Sequence, residues 1–378
     1  MKISGINVFT VQARWRNWVF VQVETDEGVT GIGESTLEGK AATVEGAILD
    51  LKMDLLGENP QDVERLWQKV FYHAAWHGSA LYSAWSGIEM ALWDIKGKVL
   101  GTPVYNLLGG RCRDTVRLYA NLWYVGAETP DEYAEKARAI VGRGFTALKW
   151  EAFGAGYAGV EAATIRRTVE RVRAVRDVVG EDVDIMIDVG GRFVPEAAIK
   201  LGRALEQFAP FWYEEPVHWS GMDALAKVAG KVNVPIATGE KLFTKFGFKQ
   251  LLERQIAGVI QPDLCHAGGI LEVKKIAAMA EANYVMVAPH NPNGPVSTAA
   301  CLQLAACVPN FLILEYHVDD VAWRDEIVTP AEQVEDGHLA IPTAPGLGIE
   351  FNAEAAAAHP YEPVRLGDIF PGLSPFCL

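Results

Sequence analysis

The chain opens with two runs rich in β-branched and aromatic residues, "INVFTVQ" and "NWVFVQVETDEGVTGIGES", the second broken by the turn residues Asp26-Glu27-Gly28. Such side chains fit a pleated, half-buried surface, and a tight turn between two such runs predicts a meander of antiparallel strands. The period then lengthens. Apolar residues recur three or four apart around Ala41 to Leu56, Gln61 to Trp76 and Leu81 to Leu100, which predicts three helices. "GTPVYNLLGG" punctuates the chain with Gly and Pro, and a domain boundary is expected near Arg111 to Arg117.

Beyond that boundary, short apolar runs alternate with amphipathic stretches. Eight strand-like runs are present: "VRLYANL", "TALKWE", "VDIMIDV", "FWYEEP", "VPIATGE", "AGVIQPDL", "YVMVAPH" and "FLILEYH". Stretches such as "GVEAATIRRTVERVRAVRDVV", "PEAAIKLGRALEQF" and "ILEVKKIAAMAEAN" have helical period and fill gaps between them. Buried strands alternating with helices form parallel βαβ units, and eight of them predict a closed (β/α)₈ barrel. The fold class expected is therefore α/β, in three parts: an α+β domain over residues 1–115, a barrel over 116–345, and a tail over 346–378 that returns to pack on the first domain.

Within the runs, polar residues fall at regular places. Asp188, Glu214 and Glu240 each close an apolar run and stand 26 residues apart, and Asp263, His290 and Glu315 follow at intervals of 23, 27 and 25. One βα unit takes about this many residues, so each step reaches the equivalent point on the next strand. Six polar groups then face one another at the C-terminal rim, where barrel active sites sit. Three converging carboxylates repel one another unless a cation balances them, and an oxygen-only donor set suits a hard ion such as Mg²⁺ better than zinc. Asp188 is thus a candidate metal ligand with Glu214 and Glu240.

A carboxylate bonded to an imidazole fixes its tautomer and raises its basicity, which makes His290, beside Asp263, the candidate general base. Lys149 ends the second strand, where an ammonium can reach a substrate carboxylate or enolate oxygen, and Glu151 shares its face by strand period. Arg16 and Trp18, near the start of the second opening strand, are read either as part of a lid over the barrel or as an ordinary surface loop. With Lys241 they complete the candidate substrate-binding set. Cys265-His266 offers soft ligands but no second pair at metal spacing, which favours a structural reading. His73, Trp76 and His77 are read as a helix end. Walker, GxGxxG and G-x-S-x-G signatures are missing from the sequence.

Charge narrows the partners. The 378 residues carry a net charge of -14, which disfavours nucleic acid and anionic membrane surfaces, so an anionic substrate needs a local cation, a metal or a buried Lys. Five scattered cysteines without CxxC spacing fit a reducing, cytoplasmic setting, and no apolar run reaches the roughly 18 residues of a spanning helix.

The combination "GIGES", "ALWDIKGK", "YEEP", "GEKLF", "QPDLCHAGGI" and "APHNPNGP" resembles the enolase superfamily in its mandelate racemase subgroup, and within it the galactonate dehydratases and related sugar acid dehydratases. The resemblance implies a modified TIM-type barrel capped by an α+β domain built from the N-terminal part and the C-terminal tail, with specificity in the cap loops. It implies that Asp188, Glu214 and Glu240 bind one Mg²⁺ per subunit, with Glu215 supporting the ligands from behind. It further implies an Asp263–His290 dyad, a Glu315 that hydrogen-bonds the substrate on the side away from the metal, and a homo-oligomer. The activity implied is dehydration of a sugar acid through an enediolate; epimerisation, lactone cycloisomerisation and non-catalytic sugar acid binding are the alternatives.

Two departures stand out. Members of the subgroup with a lysine base carry Lys-x-Lys on the second barrel strand, whereas this chain has Lys149-Trp150-Glu151. The galactonate dehydratases place a histidine, their general acid, two residues after the first metal ligand; here that position is Gly190.

Overall fold

The computed structural model describes residues 1–73, 77–154 and 157–364. Strands β1 (Ile3–Ala13), β2 (Arg16–Thr25) and β3 (Thr30–Glu34) form the opening antiparallel sheet in that order. Helices α1 (Ala41–Leu55), α2 (Val63–His73) and α3 (Ser79–Leu100) follow, close to the ranges their periodicity predicts. Trp76 and the side chain of His73 lie outside the described residues. β3 presses on α3 so closely that a Cβ at Gly33 would sit 1.8 Å from the Gly87 carbonyl oxygen, and one at Gly31 2.1 Å from that of Ala91. The glycines of "GIGES" therefore permit contact between two backbones.

After the short α4 (Val104–Leu107) the barrel begins. It runs β4 (Thr115–Asn121), α5 (Pro130–Val141), β5 (Ala147–Trp150), α6 (Ala162–Val179), β6 (Asp184–Asp188), α7 (Pro195–Leu205), β7 (Trp212–Glu214) and α8 (Met222–Ala229). It continues through β8 (Ile236–Thr238), α9 (Thr244–Glu253), β9 (Val259–Ile260), α10 (Ile270–Ala282), β10 (Met286–Val287), α11 (Pro295–Cys307) and β11 (Leu314–His317). β4 to β10 pair in parallel sequence, β11 returns to β4, and a parallel bridge from Val287 to Phe311 closes the ring. Each of the eight predicted runs supplies one strand.

The eighth helix does not form. Past His317 the text "VDDVAWRDEIVTPAEQVEDGHLAIPTAP" has no helical apolar stripe and is broken by prolines. Its described residues form a 3₁₀ turn at Arg324–Glu326 and the short strands β12 (Val328–Thr329), β13 (Val334–Glu335), β14 (His338–Ala340) and β15 (Glu350–Phe351). β14 pairs with the start of β4, and β15 with β12. A last helix, α12 (Ala353–Ala357), precedes a backbone bridge from Pro360 to Val11 of β1.

Inside the barrel, Tyr119, Ala147, Met186, Trp212, Ala237, Val259, Ala288 and Ile313 form one buried layer, with Ala288 just after β10 and Ile313 just before β11. Side chains two apart on a strand share a face, so Asn121, Lys149, Asp188, Glu214, His290 and Glu315 stand one layer higher. The packed floor thus fixes the height of the chemistry.

Three buried carboxylates of the opening domain bind backbone of the barrel and of the segment after it. Glu34 accepts N–H groups of Gly294 (2.6 Å) and Ser297 (2.9 Å) at the start of α11, and Glu89 those of Ile270 (2.7 Å) and Leu271 (2.9 Å) at the start of α10. Asp94 accepts from Leu347 at 2.8 Å. Negative charge at a helix N-terminus meets the unpaired N–H groups and the positive end of the dipole. Among the described residues no helix is long and apolar enough to cross a membrane.

Candidate active site

A cavity of about 420 Å³ opens at the C-terminal rim, walled by Lys149, Asp188, Glu240, His290 and Glu315 from the barrel and by Trp15 and Glu38 from the opening domain. A second cavity of about 380 Å³, between α11 and the segment that follows the barrel, is apolar; its one charged residue, Glu332, is taken up by Arg324. The chemistry belongs to the first.

Ligand atoms of Asp188, Glu214 and Glu240 lie within 4.8 Å of one another. Each is oriented from behind. Gly190 N–H donates to Asp188 Oδ1 at 2.9 Å, Trp212 Nε1–H to Glu214 Oε2 at 2.8 Å, and Lys241 binds both Glu240 and Glu215. Lys149, 1% exposed, sets its ammonium 2.7 Å from Glu214, 3.0 Å from Glu315 and 3.3 Å from Asp188. Burial works against that charge, but Glu214 and Glu315 outweigh it and hold Lys149 protonated well above the usual lysine range. Burial and neighbouring Asp188 push Glu214 up to about 8, whereas Lys241 and His290 overcome burial at Glu240 and bring it to about 2. The two ammoniums of Lys149 and Lys241 do not neutralise Asp188, Glu214, Glu215, Glu240 and Glu315, and the oxygen-only donor set fits a hard divalent cation.

Asp263 is fully buried, and its Oδ2 lies 2.8 Å from His290 Nδ1. Cys265 N–H donates to Oδ1 at 2.6 Å, and Asn293 Nδ2 lies 3.0 Å from Oδ2. An ionised carboxylate only accepts, so His290 Nδ1 carries the hydrogen and, in the neutral ring, Nε2 keeps its lone pair. That Nε2 lies 3.7 Å from Glu240 Oε2, on the cavity side. Burial opposes the charged ring, yet Glu240, Asp263 and Glu315 raise His290 to about 10. A cation held by Glu240 removes the largest of these raising charges and returns the ring towards the range of a general base. Asp263, His266 and His290 also bring ligand atoms together, with His266 Nε2 3.3 Å from Asp263 Oδ2 and His266 Nδ1 3.0 Å from Ser83 Oγ.

Glu315 accepts from Asn121 Nδ2 (2.7 Å) and Asn291 N–H (2.9 Å) besides Lys149. Burial is overcome by Lys149 and His290, so Glu315 is held well below the ordinary carboxylate range and serves as an acceptor. On the other wall, Glu151 is bound by Arg192 Nη2 at 2.7 Å. Gly190 adopts φ 61°, and a Cβ there would come within 3.5 Å of the same Nη2. Where the resembling enzymes keep a histidine, this chain has an Arg192–Glu151 ion pair.

Two expected substrate contacts are corrected. Arg16 is 0% exposed and gives both terminal nitrogens to Asp320, at 2.6 and 3.1 Å, while Trp18 packs edge-on against Trp323. Both lie on the face of β2 turned to the segment after β11, and neither lines the cavity. Trp15, in the turn before β2, does. His77 bonds Tyr82, and His266 and Cys265 are buried behind Asp263. Cavity residues that the sequence reading missed are Trp15, Glu38, Asn121, Tyr124, Arg192 and His317. Strand period was a usable signal for His317, two residues after Glu315, and Arg192 follows Gly190 at the same spacing; Glu38 had none.

The geometry coincides with known proteins. Residues 5–109 match the mandelate racemase / muconate lactonizing enzyme N-terminal domain, and residues 132–356 the enolase C-terminal domain-like family. The chain belongs to the enolase superfamily, in its mandelate racemase and muconate lactonizing branch, and is an enzyme. It is 38% identical over 361 residues to D-galactonate dehydratase of Ralstonia nicotianae, covering 93% of this chain and 92% of that one. D-gluconate dehydratase of Thermoproteus tenax is 35% identical over 94% of this chain and 72% of its own. Among solved structures, an enolase superfamily member from Salmonella Typhimurium superposes with TM-score 0.91 at 33% identity over 95% of this chain and 98% of the other.

Proposed function

We propose that this enzyme is a Mg²⁺-dependent sugar acid dehydratase that converts an aldonate to its 2-keto-3-deoxy acid. The observation that carries the reading is the Asp263–His290 contact, which leaves His290 Nε2 on the cavity side, in a site that also holds the Lys149 ammonium and three clustered carboxylates. Asp188, Glu214 and Glu240 would hold the ion, with Lys241 and Glu215 supporting them. Bound there, Mg²⁺ supplies positive charge that holds the substrate carboxylate and acidifies the α-carbon.

His290 takes the α-proton on Nε2, the released pair spreads into the carboxylate as an enediolate, and it then forms the C2–C3 double bond as the β-hydroxyl departs. Lys149 balances the charge that grows on the carboxylate oxygens, and Glu315 accepts a substrate hydroxyl. The leaving hydroxyl takes the proton from His290 and departs as water from the same face, and the enol becomes the 2-keto acid. Glu151, the other candidate acid, is held by Arg192, which leaves His290 the better-placed donor. An isomerase with bases on both faces is disfavoured, because Lys149 is locked as an ammonium by Glu214 and Glu315.

Incubation with Mg²⁺ in deuterium oxide against five- and six-carbon aldonates and aldarates, D-galactonate and D-gluconate first, tests this by proton NMR. Loss of the α-proton with a new C3 methylene is expected. Loss without a methylene means isomerisation or abortive exchange and sinks the dehydratase reading. His290→Asn is expected to abolish exchange and dehydration together.

A further inference from the structure

One buried face of α3 presents Ser83, Ser86 and Glu89, three residues apart, to the loop that carries Asp263. Ser86 Oγ accepts Gly268 N–H at 3.0 Å, and Glu89 accepts at Ile270 and Leu271, so two of the three contacts end on backbone. The third does not. Ser83 Oγ lies 3.0 Å from His266 Nδ1, and His266 Nε2 lies 3.3 Å from Asp263 Oδ2, the oxygen that His290 Nδ1 approaches at 2.8 Å.

The proton positions follow from the acceptor. Ionised Asp263 cannot donate, so His266 carries its hydrogen on Nε2, Nδ1 becomes an acceptor, and Ser83 donates to it. Burial lowers the pKa of His266 and keeps the ring neutral, which preserves this order. His266 is 6% exposed and does not line the cavity, so it acts through Asp263 and not on substrate.

We propose that His266 is a positioning residue for the general base. Held in its Nε2–H form by Ser83, it shares Asp263 Oδ2 with His290 and fixes the carboxylate that turns His290 Nε2 towards the substrate. A helix of the opening domain is thereby joined to the base through Ser83, His266 and Asp263, by two hydrogen bonds and the 3.3 Å approach of His266 Nε2 to Asp263 Oδ2. The proposal rests on the reading of His290 as that base.

The first test needs no substrate: protein labelled with ¹⁵N-histidine, observed with Mg²⁺, reports which ring nitrogens carry hydrogen. His290→Asn assigns the His290 resonance. Ser83→Ala is expected to shift both His266 nitrogens and the His290 Nδ1–H, through loss of one hydroxyl. With an aldonate that shows α-proton exchange, His266→Leu is expected to lower kcat on the order of 10- to 100-fold while KM stays within about threefold. His266→Gln, whose amide N–H can reach Asp263, is expected to recover most of that loss.

Unmoved histidine resonances in Ser83→Ala would overturn the proposal. So would a His266→Gln variant as impaired as His266→Leu, or a loss confined to KM. Should His266→Leu fail to fold, Ser83→Ala carries the test alone. If His290→Asn still exchanged the α-proton, the reading of the base would fall. If that variant were dead while Ser83→Ala and His266→Leu kept full kcat, only the role of His266 would.

Discussion

Replacing Arg16 by Met separates a structural role from a substrate role. The Arg16–Asp320 pair is buried on both sides, with terminal nitrogens 2.6 and 3.1 Å from the carboxylate. Removing the cation strands a buried carboxylate, which costs about 3–5 kcal/mol. Arg324, 3.7 Å from Asp320, supplies a second, more distant cation, so the lower end is expected. The carboxylate gives an independent figure. Burial alone raises Asp320, but Arg16 outweighs it and lowers the group from 3.8 to about 2. At 1.36 kcal/mol per pH unit, that depression is worth about 2–3 kcal/mol. Its sign is that of a depressed folded-state pKa: the stabilisation is present above the unfolded value near 3.8 and is lost as pH falls through about 2.

The assay is urea unfolding at pH 7, followed by tryptophan fluorescence and circular dichroism together, alongside steady-state kinetics of the folded fraction. Arg16→Met is expected to lose about 3 kcal/mol with KM unchanged, and Arg16→Met with Asp320→Leu to regain most of it. A destabilisation below about 0.5 kcal/mol with a raised KM would refute the reasoning and return Arg16 to the substrate.

Other outcomes are equally specific. Lys149→Met, which removes the ammonium among Glu214, Glu315 and Asp188, is expected to lower kcat about 10²- to 10³-fold in the same assay. Lys241→Met frees Glu240 and Glu215 and is expected to weaken Mg²⁺ binding about 10- to 100-fold, read by titration calorimetry on metal-free protein. Exhaustive chelation should abolish turnover, and Mg²⁺ should restore it. Gly190→Ala forces a side chain onto a left-handed backbone at φ 61° and is expected to cost about 1–2 kcal/mol in urea unfolding.

How much of this was legible in the sequence differs from residue to residue. The barrel strands could be read because most of their residues are buried and apolar, and the rim residues because intervals of 23 to 27 residues return to the same point of successive βα units. Arg16 and Trp18 share a face, as alternation predicts, yet alternation does not say which face meets the cavity. That depends on Asp320 and Trp323, some three hundred residues away. Glu38 and Trp15 reach the cavity through packing of the opening domain on the barrel, a long-range event without local periodicity. The absent eighth helix was not anticipated: eight strand-like runs led to an expectation of eight complete units, although the segment after His317 carries prolines and no apolar stripe.

The three buried carboxylates that grip backbone beyond the opening domain set how the molecule can breathe. Lifting that domain would strip Glu34, Glu89 and Asp94 of their N–H partners at once and leave the starts of α10 and α11 bare in a dry interface. Such an excursion resembles partial unfolding more than a hinge swing, so these contacts disfavour wholesale opening of the cap. On the proposed reading, substrate and water reach the cavity past the short segments that bear Trp15 and Glu38, which line it, and length changes in those two loops would retune admission without loosening the frame that holds the base.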